Sequence, residues 1–208
     1  MGLPRLYPIL DAGFLATRGL EVRGVAEQMR AAGLRLLQYR DKAGSPEAVL
    51  QNAAVIREIF AGTDCRLILN DRADLAVLAE WGGVHVGQGD LSPEDARRVV
   101  GAERWVGVST HTDEQVKLAD VSCADYVAVG PVFATGTKLD ASPVIGLEGV
   151  RRARALTTKP IVAIGGITRK NARSVMEAGA DSVAVISALF VAGESVEKVA
   201  RDFLEVLE

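Results

Sequence analysis

"PIVAIGGITRKNARSVMEAGADSVAVIS", Pro160 to Ser187, carries two short β-type runs, PIVAIG and SVAVIS, on either side of a stretch with helical character. Both runs are almost continuously apolar, the pattern of strands covered by helices on both faces. Parallel strands joined through a helix form a right-handed crossover, so the passage reads as one strand–helix–strand unit. The fold then depends on how often the unit recurs. Working outward, similar runs stand at LYPIL (6–10), LRLLQY (34–39), RLILN (66–70), GVHVG (83–87), RWVGVS (104–109) and DYVAVG (125–130). With PIVAIG (160–165) and SVAVIS (182–187) they make eight strands.

Helix starts are marked between them. Ser45-Pro46-Glu47 and Ser92-Pro93-Glu94-Asp95 each offer a capping hydroxyl, a proline preset for the first turn and early acids that suit the helix dipole. Thr112 and Gln115 have capping-box spacing, and SVEKVARDFLEVLE places Val196, Val199, Phe203 and Val206/Leu207 on one face. Eight such units in 208 residues predict an α/β fold, a single (β/α)8 TIM barrel spanning 1–208. An open doubly wound sheet is the alternative, weakened because no G-x-G-x-x-G opens the first helix.

A hydrophobic fraction of 49% is ample for one core, and the formal charge of −3 supplies no field for nucleic acid or an anionic membrane. Cys65 and Cys123 lack CxxC spacing and are expected as buried free thiols. MGLPRLYPIL is too short an apolar run for a signal peptide, and no stretch approaches a membrane span, so a cytoplasmic location is expected. A homo-oligomer is compatible with all of this.

In a barrel the chemistry belongs at the C-terminal ends of the strands. Strand two ends in Gln38-Tyr39-Arg40-Asp41-Lys42, all five of which are expected at the substrate site. Arg40 and Lys42 alternate with Asp41, which on an extended backbone puts both cations on one side, a fork and a point charge suited to a diphosphate. A surface charge cluster is the plainer reading of the same residues. Strand three ends in Asn70-Asp71 and strand four in Gly87-Gln88-Gly89-Asp90. Each aspartate alone is an ordinary loop acid. On adjacent strands the two could converge on one hard cation, and Mg²⁺ typically takes one or two carboxylates plus substrate phosphates.

Asp74 is expected to support the next helix and His111 the loop architecture, since no nucleophile pairs with it. Ser109, closing strand five, can donate to a ring nitrogen or an oxygen. Gly165-Gly166 after strand seven and Ile186-Ser187 after strand eight occupy the usual phosphate position of this fold. After strand six come Thr135, Gly136, Thr137 and Lys138: two hydroxyls, a backbone free to approach a ligand, and an ammonium group. Two separate anion sites, one of them beside a metal, fit the joining of two phosphorylated molecules.

Taken together, "QYRDK", "LNDRADLA", "GVHVGQGDL", "VGVSTHT", "ADYVAVGPVFATGTK", "VAIGGIT.KNA" and "AGADSVAVIS" resemble thiamine phosphate synthase from the first strand through the eighth. The resemblance implies a barrel that couples 4-amino-2-methyl-5-hydroxymethylpyrimidine diphosphate to a thiazole phosphate, releasing diphosphate. By motif, Gln38, Arg40, Lys42, Asn70 and Lys138 would bind the pyrimidine diphosphate, Asp71 and Asp90 would hold Mg²⁺, and Ser109 would contact the pyrimidine. Thr135, Gly136, Thr137, Gly166, Ile186 and Ser187 would grip the thiazole phosphate. Arg40, Lys42, Ser109 and Lys138 carry the catalytic roles, and the loop after strand six is the expected lid. Two departures are visible: GQGD for the family's usual GQED, with Gly89 in place of an acid, and QYRDK for the commoner QLREK.

Two rivals remain. A thiazole tautomerase would share the barrel and the thiazole-phosphate site, but needs neither metal nor diphosphate clamp, and the resemblance leads one to expect an acid/base histidine where Pro131 stands. A non-catalytic phosphate-binding barrel is disfavoured by the acid pair.

Overall fold

The computed structural model describes residues 2–136 and 143–208. Eight strands form the barrel wall: β1 (Leu6–Asp11), β2 (Leu36–Arg40), β3 (Arg66–Asn70), β4 (Gly83–Val86), β5 (Trp105–Thr110), β6 (Tyr126–Val129), β7 (Ile161–Ile164) and β8 (Ser182–Val185). Each pairs in parallel with the next, and β8 returns to β1. Around it lie α1 (Ala12–Ala16), α2 (Val22–Ala31), α3 (Pro46–Ile59), α4 (Ala73–Leu78), α5 (Pro93–Val100), α6 (Asp113–Val121), α7 (Gly146–Leu156), α8 (Ala172–Glu177) and α9 (Val196–Leu207).

All eight expected strands are present, with shifted ends. β2 begins at Leu36, two residues later than its apolar run, because Leu34 and Arg35 still belong to the turn after α2. The glycines that closed the fourth, sixth and seventh runs fall just outside their strands. The helix caps form as expected: Ser45 Oγ accepts from the Ala48 N–H at 3.2 Å and Ser92 Oγ from the Asp95 N–H at 3.1 Å. Thr112 Oγ1 accepts from the Gln115 N–H at 3.2 Å, but Gln115 Oε1 receives the His111 N–H at 2.7 Å, one residue before the cap.

Alternation along the strands builds two cores. Leu10, Leu37, Tyr39, Leu69 and Val127 face the helices. Tyr7, Ile9, Leu36, Ile68, Tyr126, Ala128 and Val162 form a second cluster that fills the barrel. α9 seals the outer layer with Val196, Val199, Ala200, Phe203 and Leu207, while Val206 is only half-buried.

At the N-terminal ends of the strands, one device appears twice. Asp125 Oδ2 accepts from the Val106 N–H and from Arg97, both at 2.6 Å. Asp181 Oδ2 accepts from the Ile161 N–H at 2.8 Å and from Arg154 at 3.0 Å. Each arginine also binds loop carbonyls nearby, including Cys123 O for Arg97 and Lys159 O for Arg154.

The expected burial of both thiols needs correcting. Cys65 and Cys123 are free, but only Cys65 is substantially buried, its thiol pushed up to about 12 by burial. Cys123 lies exposed in the turn between α6 and β6, three residues before the strand and too early to enter the core. Among the described residues, no helix is long and apolar enough to cross a membrane.

Candidate active site

The register of the barrel brings β1 and β2 to a common rim. Asp11 and Arg40 are neighbours across the ladder and form an ion pair there, both largely buried. Asp11 also caps α1, accepting from the Phe14 N–H at 2.8 Å, so the acid that aims Arg40 is itself fixed. Because β2 ends at Arg40, strict alternation does not extend to Lys42, and its ammonium turns toward β3 to pair with Asp71. The two cations thus flank the mouth, each with an acid partner.

Asp71 follows β3 with a φ of 63°, a left-handed conformation that a short polar side chain tolerates better than a bulky one. Its N–H donates to His85 O at 2.7 Å, which locks the turn onto β4. Asp90 closes the loop after β4, its Oδ2 accepting from the Gly87 N–H at 2.8 Å. The Asp71 and Asp90 carboxyls are in hydrogen-bonding contact. Burial, reinforced by Asp90, raises Asp71 above the usual carboxylate range although Lys42 opposes the shift. Burial also works against ionised Asp90, yet the contact with Asp71, the hydrogen bond from the Gly87 N–H and the charge of Lys42 bring it below that range. Two carboxyls this close resist ionising together, and Lys42 offsets part of that repulsion.

This donor set suits a hard divalent cation, which would let both acids ionise together. Among the described residues no cluster of three or more His, Cys, Asp or Glu is arranged for a metal, so water and substrate oxygens would complete the shell.

Gln38 and Asn70 lie at the same end, on the inward register of β2 and β3 with Ile68. Ser109 joins them from β5, its Oγ 2.8 Å from His85 Nε2 and its carbonyl accepting from Gln88 at 2.6 Å. The side chains of Tyr39 and Asp41 do not join this group. Tyr39 sits on the helix-facing side of β2, where its hydroxyl receives Asn52 Nδ2 at 2.9 Å and donates to Asp41 Oδ2 at 3.2 Å. Asp41 Oδ1 accepts from the Gly44 N–H at 2.7 Å, shaping the loop before α3.

Across the mouth, the segment after β6 lies on the double glycine. Val132 and Phe133 donate their N–H groups to Ile164 O and Gly165 O at 2.9 and 3.0 Å. Gly165 and Gly166 have φ of 103° and 62°, and a Cβ on Gly166 would stand 2.6 Å from Ala134 O. Only glycine admits that contact. Asn171 holds the turn from behind, donating to Gly166 O at 3.1 Å and accepting from the Thr168 N–H at 2.7 Å. Ile186 leads from β8 into the 3₁₀ turn Ser187–Leu189, and Thr135 and Gly136 are exposed after β6. Thr137 and Lys138 lie outside the described residues. His111 is architectural, its Nδ1 2.8 Å from Gly130 O. Asp74 stands in the first turn of α4, paired with Arg72.

Gln88 already stood in the rim loop after β4, whereas the sequence reading assigned no role to Asp11, His85, Tyr7 and Tyr126. Their signal was parity: in an apolar strand, a polar residue an even number of positions from a rim residue shares its face.

The family model described as thiamine monophosphate synthase matches residues 6–189. The chain belongs to that family. It is 50% identical over 207 residues to a thiamine-phosphate synthase of Koribacter versatilis, covering 99% of this chain and 96% of that one. A thiamine-phosphate synthase of Chloroflexus aurantiacus is 44% identical over 197 residues, covering 95% and 89%. Among solved structures, thiamine phosphate pyrophosphorylase from Pyrococcus furiosus superposes with a TM-score of 0.86 at 32% identity, covering 98% of this chain and 95% of that one.

Proposed function

We propose that the chain is a transferase that joins the pyrimidinylmethyl group of 4-amino-2-methyl-5-hydroxymethylpyrimidine diphosphate to a thiazole phosphate, giving thiamine phosphate and diphosphate. The observation that carries this reading is the contact between the Asp71 and Asp90 carboxyls at the rim that also holds Arg40 and Lys42. An acid pair between two cations is the apparatus for a magnesium diphosphate, and neither isomerisation of a thiazole nor simple phosphate binding calls for it.

Asp71 and Asp90 would hold Mg²⁺, which when bound neutralises charge on the diphosphate. Arg40 and Lys42, with Lys138 assigned by its motif position alone, stabilise the negative charge that grows as the methylene carbon–oxygen bond breaks and its electron pair leaves with the diphosphate. Gln38 and Asn70 orient the pyrimidine diphosphate, and Ser109 meets the aminopyrimidine. That electron-rich ring carries the resulting cation until the thiazole nitrogen donates its lone pair to the methylene carbon. Gly166, Ile186 and Ser187, with Thr135, Gly136 and Thr137, hold the thiazole phosphate so that the nitrogen faces this carbon. No general base or covalent enzyme intermediate is needed, and the protein contributes alignment and exclusion of water.

Incubation of the purified chain with both substrates and Mg²⁺ tests the proposal. Thiamine phosphate and diphosphate should appear in equal amounts. Consumption of the thiazole phosphate alone, with no diphosphate formed, would favour the tautomerase reading.

A further inference from the structure

A row of polar side chains crosses the barrel interior and ends at Ser109. Gln38 Nε2 donates to Tyr7 Oη at 3.0 Å, and the Tyr7 and Tyr126 hydroxyls are 2.9 Å apart. Tyr126 Oη lies 3.0 Å from His85 Nδ1, and His85 Nε2 lies 2.8 Å from Ser109 Oγ. Gln38, Tyr7, Tyr126 and His85 are all buried. Gly107 makes the crossing possible, since a Cβ there would stand 2.0 Å from Tyr126 Cζ. The Tyr126 and His85 rings stack with centroids 5.6 Å apart.

The direction of the row follows from donor chemistry. An amide nitrogen only donates, so a Gln38 hydrogen occupies one lone pair of the Tyr7 oxygen. The Tyr7 hydrogen then passes to Tyr126, and the Tyr126 hydrogen to His85 Nδ1. A neutral imidazole that accepts at Nδ1 carries its hydrogen on Nε2, which donates to Ser109 Oγ. The Ser109 hydrogen is then directed toward the mouth. Burial raises both phenols above their ordinary range, so neither ionises and interrupts the sequence.

We propose that Gln38, Tyr7 and Tyr126 fix His85 as its Nε2–H tautomer and thereby turn the Ser109 hydroxyl into a hydrogen-bond donor toward the pyrimidine substrate. Tyr7, Tyr126 and His85 are positioning residues acting through Ser109. The consequence for substrate rests on the reading that Ser109 meets the pyrimidine; the tautomer does not.

The chain has two histidines, so ¹⁵N-histidine labelling, with His111→Gln for assignment, isolates His85. In the native protein near pH 8, Nδ1 should be unprotonated and Nε2 protonated. Tyr126→Phe should release the ring into a mixture of tautomers, and Tyr7→Phe serves if that variant does not fold. Tyr126→Phe should lower kcat about tenfold, the order expected for one misdirected hydrogen bond, and this loss should vanish in a Ser109→Ala background. A His85 that is Nδ1–H in the native protein, or a Tyr126→Phe loss of equal size with and without Ser109, overturns the relay. Undiminished turnover in Ser109→Ala alone overturns the substrate contact instead, leaving the tautomer result to stand or fall by its own spectrum.

Discussion

Asp71 combines three roles in one residue: a left-handed backbone turn, an ion pair with Lys42 and a close contact with the Asp90 carboxyl. Strained backbone persists where the surroundings over-determine it, and here the bond to His85 O and the neighbouring loop after β4 supply that constraint. Gly89, the departure from the family's usual acid, is exposed with open space around its Cα, so nothing in the packing demanded the change. Lys138 belongs to this scale too. Its expected role is stabilising the leaving diphosphate, so Lys138→Ala should lower kcat by roughly 10²–10³, the usual loss for one electrostatic group. Steady-state kinetics checks this, and a change of under about twofold would remove Lys138 from the mechanism.

Among the elements, the loop after β7 and helix α9 are joined by Arg169, Glu194, Lys198 and Asp202. Arg169 pairs with Glu194 at 2.6 Å and also contacts Asp202, while Lys198 reaches both acids at 2.9 and 2.8 Å. Hydrogen bonds from Arg169 and then Lys198 hold Glu194 down to about 2. A folded-state value below the unfolded one stabilises the fold above the ordinary glutamate range, and that contribution is lost as pH falls toward about 2. Glu194→Gln should therefore lower stability above about pH 5 and flatten its fall between about pH 5 and pH 2. Urea melts across that range measure it, and an unchanged acid limb would show that the cluster does not couple to folding. Legibility differed by element for a physical reason. Strands showed as continuous apolar runs, and caps as Ser-Pro pairs, because both depend on local chemistry. The Asp11–Arg40 pair and the Gln38-to-Ser109 row depend on closure of the barrel, which sets side by side residues whose own strands read as ordinary core. Asp71 and Asp90 were legible because adjacent strands and rim positions already implied their meeting.

For the whole molecule, the two ends of the barrel divide the work. The C-terminal rim gathers the acid pair, the cations and the glycine turn, while the opposite end carries the repeated Asp–Arg clamps on β5/β6 and β7/β8. Arg154→Ala removes bonds to Asp181 and to two loop carbonyls, and should destabilise the fold by about 1–3 kcal/mol with kcat within about twofold of the parent. Denaturant melts and kinetics on the same preparation test that separation, and a kcat loss exceeding the loss of folded protein would contradict it. At the other rim, the deciding experiment is the Mg²⁺ dependence of diphosphate release by the native chain and by Asp71→Ala, with circular dichroism on both. The native chain should release diphosphate only with Mg²⁺, and the natively folded variant should release none above background. Undiminished release by Asp71→Ala, or release by the native chain in excess chelator, would remove the acid pair from the chemistry.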